Sequence, residues 1–456
     1  PVTVSSGRTG IVAGAVPSGG IALSMENMNR IIGMRRDSAA TPCYISLEPG
    51  VSLAALDDYL LHHAENSRLF FPPDPTEKTA HTGGSISCNS SGARSFGYGP
   101  TRRYVRRLRV ALATGQILDI PRGKYIADKN DTISIQDQGL NLCFRIPRYA
   151  MPKTKNAAGY WSEPGMDLID LFIGSEGTLG VITEAELNLL SLPPRILGAL
   201  VFLPEEHHAV RFVQAARNKH PDNPGPWPHA LEYFDADSLD LLRQHKADGH
   251  TQGIPPLPSG RFCAVYYEVF YDDEKESDEI LSRLESLISE NGGSLNDTWA
   301  ETDHAGVSRI RDFRHALPET INTLIGAIRV RHPGIIKLGT DFSVPDEHLE
   351  PIMRFYRRGL DASGLRHIVF GHIGDNHLHI NILPRDEDEY SRGRALYARF
   401  ADEVIRLGGS VAAEHGIGKL KKPLLRMMIG DRGIDEMRRI KGIFDPKGLL
   451  NPGNLF

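Results

Sequence analysis

Apolar positions along the chain follow two patterns, which meet near Pro193-Pro194. Before this pair, short apolar runs alternate with stretches of Gly, Ser, Thr and Asn, a pattern that predicts strands joined by long loops. Residues 105–112 and 180–182 are predicted strands, and 53–62 is the one segment with clear helical periodicity. The first region is therefore expected to be mostly sheet and loops.

After Pro194 the apolar runs lengthen and alternate with amphipathic stretches. This pattern predicts strands at 197–202, 262–271 and 335–344, helices at 205–216, 274–291 and 346–362, and a strand pair within 366–383. Strands separated by packed helices favour an α+β domain with an antiparallel sheet. Because 456 residues exceed the size of one hydrophobic core, two or three domains are expected.

Composition narrows the class of protein. The net charge of −5 gives no reason to expect a nucleic-acid partner, and no apolar run approaches the roughly 18 residues of a membrane span. The four cysteines are scattered singly, which matches neither a disulfide framework nor an iron–sulfur ligand set. A reducing compartment, the cytoplasm, is expected, with peripheral attachment to a membrane as the alternative.

The first region contains three segments that are rich in small residues: 5–10, 71–94 and 174–183. Glycines permit the positive φ angles at which successive backbone N–H groups can surround a phosphate. The first segment alone is better explained as a plain turn. Three such segments, all carrying hydroxyl side chains, indicate a site for a large ligand that contains a diphosphate.

Histidines concentrate in residues 371–381, where apolar runs flank Gly374-Asp375-Asn376, a turn signal that predicts a β-hairpin. The hairpin would fold His372 back across from His379, and Glu414-His415 follows later in the chain. Two imidazoles and a carboxylate suit a divalent ion such as zinc. Hydrogen-bonded core histidines are the alternative, but so many histidines beside Glu-His favour a metal.

These loops, in this order, resemble the FAD-binding domain of the vanillyl-alcohol-oxidase superfamily. More narrowly, nearly the whole chain resembles the branch that contains D-lactate dehydrogenase, the FAD subunit of glycolate oxidase and D-2-hydroxyglutarate dehydrogenase. The resemblance implies an α+β fold, with a two-subdomain FAD-binding domain and an antiparallel-sheet substrate or cap domain. Part of the FAD-binding domain is expected to be missing from the N-terminus of this sequence.

The implied domains are an FAD-binding domain at 1–192, a substrate domain with a metal site at 193–425, and a segment at 426–456 that returns to the first domain. FAD is expected to bind non-covalently, since His81, the nearby candidate for attachment, matches no attachment motif. The residues implied to contact FAD are Ser6, Gly7, Arg8, Thr9, Gly10, Pro73, Asp74, Thr76, Thr82, Gly83, Gly84, Ser87, Asn89, Gly92, Gly174, Glu176, Gly177, Gly180, Ile182 and Asn451.

The same resemblance assigns roles around the hairpin. His372, His379 and Glu414 match the family's metal ligands, with zinc expected and manganese or iron as alternatives. His415 matches the catalytic base and Asn381 a substrate contact, while Asn376-His377 departs from the usual Gly-Asn. Two further residues match substrate-binding positions: Arg314, whose planar fork suits a carboxylate, and Lys337.

The implied reaction is metal-assisted oxidation of a D-2-hydroxy acid to its 2-oxo acid, with hydride passing to flavin N5. D-lactate is the first expected substrate, and glycolate or D-2-hydroxyglutarate come next. With no cluster of its own, the chain is expected to pass electrons to an electron-transfer flavoprotein, an iron–sulfur subunit or a quinone. The alternatives are a non-redox FAD enzyme of the alkylglycerone-phosphate synthase type and an electron-relay flavoprotein subunit.

Overall fold

The computed structural model describes residues 1–37, 42–63, 68–137, 139–217, 227–247 and 257–456. Within these residues the strands are β1 Val2–Ser5, β2 Ile21–Ser24, β3 Ile31–Arg35, β4 Tyr44–Leu47, β5 Leu69–Phe70, β6 Val105–Ala111, β7 Ile117–Pro121, β8 Thr132–Asp137, β9 Leu140–Arg145, β10 Val181–Asn188, β11 Leu190–Ser191, β12 Arg195–Leu203, β13 Pro228–Phe234, β14 Cys263–Tyr271, β15 Trp299–Glu301, β16 Leu338–Gly339, β17 Phe342–Ser343, β18 His367–Gly371 and β19 His377–Ile382. The helices are α1 Leu53–His63, α2 Thr82–Ser87, α3 Ser95–Tyr98, α4 Leu168–Phe172, α5 Glu206–Arg217, α6 Ala236–Ala247, α7 Glu274–Glu290, α8 His304–Arg331, α9 Leu349–Ser363, α10 Glu387–Arg406 and α11 Lys422–Phe444. Among the described helices, none has the length and apolar character required to cross a bilayer.

The chain divides into two compact units. The first comprises Pro1–Gly92, Gly99–Leu192 and Ser410–Phe456, and the second comprises Ala93–Tyr98 and Pro193–Gly409. This division differs from the predicted domains in two places: the chain rejoins the first unit at Ser410 instead of 426, and 93–98 belongs to the second unit. The early return has a local cause, because the Ser410 hydroxyl donates to Asn156 Oδ1 at 2.6 Å.

The first unit is built on a five-stranded antiparallel sheet in the order β3-β4-β10-β6-β7. The predicted strand at 105–112 is β6, whose Val105, Leu108 and Val110 are fully buried. The C-terminal segment closes this unit against β1. Val2 N–H donates to Leu449 O at 2.7 Å, and Asn451 N–H donates to Val2 O at 2.8 Å.

The second unit contains an antiparallel sheet in the order β15-β12-β14-β13-β18-β19-β16, with β17 pairing beside β19. The predicted α+β class with an antiparallel sheet in the second domain is therefore confirmed. Helix α8 covers part of this sheet, because Phe313, Leu317 and Ile321 pack in one apolar cluster with Leu200 and Phe234. These buried contacts pack β12–β14 closely, so these strands hold the polar side chains that they carry in fixed positions.

Two predicted elements differ from the structure. The single strand expected at 335–344 is broken into β16 and β17, because Thr340 leaves the ladder and its hydroxyl donates to Leu378 O at 3.0 Å. Residues 82–87 form the short helix α2, where the Gly-Ser sequence had predicted a loop. Tertiary contacts outweigh the low helix propensity of Gly83 and Gly84 there.

Candidate functional site

Several glycines of the predicted cofactor loops lie against protein in the first unit. A Cβ added at Gly83 would overlap the Pro49 side chain, one at Gly92 would overlap Asp74 O, and one at Gly180 would overlap the Val110 side chain. Gly7 is similarly close to the backbone of residues 79 and 81, with 3.0 Å from the added Cβ to either atom. Close packing therefore requires glycine at positions 83, 92 and 180 whether or not a ligand binds, and it leaves little room for a side chain at Gly7.

Gly10 and Gly84 differ from these glycines, because a Cβ at either would have no atom of another described segment within 4 Å. Beside Gly84, the buried hydroxyl of Ser85 has no hydrogen-bond partner among the described residues. A buried polar atom of this kind is usually satisfied by a bound molecule or an ordered water. Open space next to an unsatisfied hydroxyl fits the binding of a large polar cofactor at α2.

Glu176 ties three segments of the first unit together. It is buried at a φ of 54°, and its carboxylate accepts hydrogen bonds from Ile417 N and Gly418 N, both at 2.7 Å. Its carbonyl accepts from Asn451 Nδ2 at 2.6 Å. Burial raises the pKa of Glu176 to about 7. Glu176 and Asn451 thus connect segments of the first unit through these hydrogen bonds, and their contact with a cofactor stays a prediction.

The other predicted cofactor residues lie in the same unit, several with protein partners. Ser6 Oγ lies 2.9 Å from His81 Nδ1, the exposed Arg8 pairs with Glu26, and Asn89 Oδ1 accepts from Arg102 N at 3.0 Å. The remaining members are placed as follows: Thr9 half-buried, Pro73, Asp74 and Thr82 buried, Thr76 exposed, Ser87 accepting at its carbonyl from Glu176 N at 2.8 Å, Gly174 donating to Ile86 O at 3.0 Å, Gly177 at a φ of 70°, and Ile182 in β10.

In the second unit, β18, a 3-10 turn and β19 form the predicted histidine hairpin, with Phe370 paired to His379. His372, His377 and His379 each offer a ring nitrogen, and these atoms lie within 4.8 Å of one another. The ring centroids of His372 and His379 are 5.5 Å apart. The hairpin therefore brings together the two predicted imidazole ligands and adds a third imidazole.

Hydrogen bonds on the far side of the rings fix the tautomers of two histidines. His379 Nδ1 lies 3.0 Å from Thr340 O, and since a carbonyl only accepts, Nδ1 carries the proton. His372 Nδ1 lies 2.6 Å from Glu232 Oε1, which has the same consequence. Both lone pairs are thereby directed to Nε2, the arrangement that orients histidines bound to a metal. The donor set fits a divalent ion such as zinc.

Two buried acids beside this cluster were missed by the sequence analysis. Glu232 lies on β13 and also contacts Arg314 Nη1 through Oε2 at 3.3 Å. Asp341 pairs with His377, with 3.0 Å between Oδ1 and Nε2. The available signal for Glu232 was a single acidic residue in a mostly apolar strand, a placement that requires a buried partner.

Arg314, predicted to hold the substrate carboxylate, is buried on α8, and its Nη2 lies 2.7 Å from His315 Nε2. Asn381 faces Gly339 in the β16–β19 ladder, and its buried Oδ1 has no hydrogen-bond partner among the described residues. Lys337 Nζ donates to Asn322 Oδ1 at 3.3 Å, and burial lowers the pKa of Lys337. The unsatisfied amide oxygen of Asn381 therefore fits a hydrogen-bond donor on an exchangeable ligand such as a substrate.

Glu414 and His415 belong to the first unit, where they follow the Ser410 return. Glu414 Oε2 accepts from Lys155 Nζ at 2.9 Å and from Ser91 Oγ at 3.2 Å. His415 Nε2 lies 3.6 Å from Glu414 Oε1. The ammonium of Lys155 thus balances the charge of the predicted carboxylate ligand, and the predicted base lies beside that carboxylate.

Comparison with family models gives two matches. Residues 192–455 match the model described as "FAD linked oxidases, C-terminal domain", and residues 1–121 match "FAD binding domain". Together they cover all of the second unit and both ends of the first.

Curated relatives match over the full length of the chain. The glycolate oxidase subunit GlcD of Bacillus subtilis is 28% identical, over 100% of this chain and 84% of the relative. The probable mitochondrial D-lactate dehydrogenase of Danio rerio is 29% identical, over 100% and 79%. The D-2-hydroxyglutarate dehydrogenase of Stutzerimonas stutzeri is 27% identical, over 99% and 85%.

Solved structures show the same fold at low identity. The 4-ethylphenol oxidase from Gulosibacter chungangensis superposes with a TM-score of 0.65 at 16% identity, over 100% of this chain and 84% of that one. An alkyldihydroxyacetonephosphate synthase superposes with a TM-score of 0.62 at 16% identity, over 99% and 71%. At this identity the likeness concerns the fold alone.

Proposed function

Because the chain belongs to the FAD-linked oxidases, an FAD-dependent oxidoreductase family, we propose that it oxidises a D-2-hydroxy acid to the 2-oxo acid with the help of a divalent metal. D-lactate is the first substrate proposed, and glycolate and D-2-hydroxyglutarate are the next. The observation that carries the proposal is the pair of imidazoles whose Nδ1 hydrogen bonds direct both lone pairs to Nε2.

When bound, the metal would supply Lewis acidity toward the substrate hydroxyl, and FAD a hydride acceptor. We propose zinc held by His372 and His379, with manganese or iron as alternatives. The family motif adds Glu414 as a ligand, a proposal that a Glu414→Gln variant tests through its metal content. The ion pair between Glu414 and Lys155 supports this proposal, because the ammonium of Lys155 stabilises the ionised carboxylate that a metal ligand requires.

The remaining polar residues have proposed tasks toward the substrate. His415 would remove the hydroxyl proton, as an imidazole can near neutral pH. Asn381 would satisfy its buried amide oxygen on the substrate side. Lys337 and Arg314 would hold the substrate carboxylate, although Arg314 also contacts Glu232. Non-covalent FAD would occupy the first unit beside Gly10, Gly84 and Ser85.

The test is anaerobic. FAD-loaded protein of known zinc content is mixed with D- and L-lactate, glycolate and D-2-hydroxyglutarate, and the visible absorbance of the flavin is followed. Bleaching by one D-2-hydroxy acid, lost after chelation and in His379→Ala, is the expected result. His229→Ala is the matched control, because His229 lies on β13 of the same sheet and its Nδ1 accepts a hydrogen bond from Phe270 N at 3.1 Å.

Flavin that stays oxidised with every acid, in protein that contains both FAD and zinc, would contradict the proposal and favour the non-redox alternative. Turnover with artificial dyes that survives His415→Ala would instead favour the electron-relay alternative. The acceptor is a separate proposal: an electron-transfer flavoprotein, an iron–sulfur subunit or a quinone, to be tested by reoxidation of the reduced flavin.

A further inference from the structure

Glu232 is a buried carboxylate on β13 whose two oxygens have different partners. Oε1 lies 2.6 Å from His372 Nδ1, and Oε2 lies 3.3 Å from Arg314 Nη1. The exposed fraction of its side chain is 3%, and that of Arg314 is 7%. A charged group this deep in a sheet is costly unless each oxygen is satisfied, so its position is set by both partners.

The two partners carry different proposed tasks. His372 is the proposed metal ligand on the hairpin, and Arg314 is the proposed carboxylate clamp on α8. Glu232 contacts both of them directly. A change in the position of either partner is therefore transmitted to the other through one rigid carboxylate.

We propose that Glu232 is a positioning residue that couples metal binding at His372 to the placement of Arg314. This inference rests on the proposed function, because it takes His372 as a ligand and Arg314 as a clamp. Through Oε1, Glu232 keeps the proton of His372 on Nδ1, so the lone pair of Nε2 stays available to the metal. Through Oε2, it holds the guanidinium of Arg314 at a fixed position relative to the metal.

Glutamine at this position tests the coupling because an amide has one acceptor and one donor. If its oxygen faces His372, its NH₂ faces the Arg314 guanidinium, donor against donor. If its NH₂ faces His372, the imidazole must accept at Nδ1, which moves the ring proton to Nε2 and removes the metal lone pair. Each orientation breaks one of the two contacts directly, and because both partners set the position of this side chain, the other contact is displaced as well.

Glu268 offers a matched control. It lies on the adjacent strand β14, its exposed fraction is 1%, and it forms its own buried pair with Arg94, with 2.6 Å from Oε1 to Nε. Glu268→Gln therefore also removes a buried carboxylate from a guanidinium in the same sheet. It differs in leaving His372 and Arg314 unchanged.

The experiment titrates zinc into FAD-loaded, chelator-stripped protein against a chromophoric chelator and repeats the titration for Glu232→Gln, Glu268→Gln and His379→Ala. The dissociation constant is expected to rise about 10- to 100-fold in Glu232→Gln, the range for lost outer contacts to metal-bound histidines, and to stay at the wild-type value in Glu268→Gln. At saturating zinc, kcat of Glu232→Gln should recover toward wild type while KM for the hydroxy acid stays raised.

Zinc affinity of Glu232→Gln within twofold of wild type would overturn the coupling, while flavin reduction by wild type would leave the proposed function standing. Wild-type protein that binds no zinc sensitive to His379→Ala would overturn both. If Glu232→Gln does not fold, Arg314→Met decides: Glu232 loses one of the two partners that set its position and shifts relative to His372, so zinc should bind more weakly. An unchanged affinity in that variant would also overturn the coupling.

Discussion

Adjacent glycines of α2 should respond in opposite ways to the same substitution. In Gly83→Ala the new Cβ would lie 3.0 Å from both Cα and O of Pro49 and overlap the Pro49 side chain, so the backbone must move apart. That movement also strains the hydrogen bond from Gly83 N to Pro49 O, now 2.9 Å. In Gly84→Ala the new methyl group has no atom within 4 Å in the described part of the chain outside its own helix turn.

The magnitudes follow from these contacts. Overpacking costs about 1–3 kcal/mol and the weakened hydrogen bond about 1 kcal/mol, while alanine in a helix regains roughly 0.5–1 kcal/mol over glycine. Gly83→Ala should therefore lower the free energy of unfolding by about 1–3 kcal/mol. Gly84→Ala should raise it by roughly 0.5–1 kcal/mol, because only the helix preference remains.

Urea unfolding of the FAD-free protein, followed by far-UV circular dichroism, measures both changes, and FAD titration of the folded variants measures the second consequence. If the open side of Gly84 faces the cofactor, Gly84→Ala weakens FAD binding despite its greater stability. A destabilised Gly84→Ala variant, or a Gly83→Ala variant as stable as wild type, would refute this reasoning, in which packing requires Gly83 and Gly84 borders the space for a ligand.

Three further substitutions have defined outcomes. Burial raises the pKa of Glu176 from 4.5 to about 7, so its protonated form is the favoured one: the stability it contributes is fully present below pH 4.5 and is lost as pH rises through 7. The difference in unfolding free energy between wild type and Glu176→Gln should change by about 3 kcal/mol over that window. Lys155→Met should destabilise the apoprotein by about 3 kcal/mol, because it removes the cation of a mostly buried pair, and added zinc should reverse part of that loss if Glu414 is a ligand. Asn381→Leu should raise the unfolding midpoint, since it removes a buried unsatisfied oxygen worth about 1–3 kcal/mol, and should also slow flavin reduction; a variant that is less stable than wild type would contradict this reasoning.

Elements with strong periodicity were predictable from the sequence. The strand expected at 262–271 is β14 Cys263–Tyr271, and the helix expected at 274–291 is α7 Glu274–Glu290. Helix α7 begins at a capping box that Asp273 forms with Glu276, a local signal that needs no distant partner. Local patterning and local chemistry agree in these segments, which is why the sequence suffices there.

Features that depend on distant residues were not predictable in the same way. The break between β16 and β17 arises from Thr340 bonding across to Leu378, 38 residues along the chain. The side-chain types around the hairpin indicated a metal, but Glu232 lies 140 residues from the histidine that it orients. One sequence gives the chemistry of each residue, whereas the pairing of buried charges depends on which strands become neighbours.

The C-terminal closure of the first unit has a consequence for synthesis on the ribosome. The backbone bonds of Val2 to Leu449 and Asn451 form only when residue 451 has emerged, whereas all residues of the second unit, through Gly409, emerge earlier. At about 5–20 residues per second, the interval between residues 192 and 451 lasts on the order of 10–50 s. During that time β1 lacks its backbone partners at Leu449 and Asn451, so the yield of the first unit in a cell should depend on chaperones that shield its early segments until residue 451 emerges.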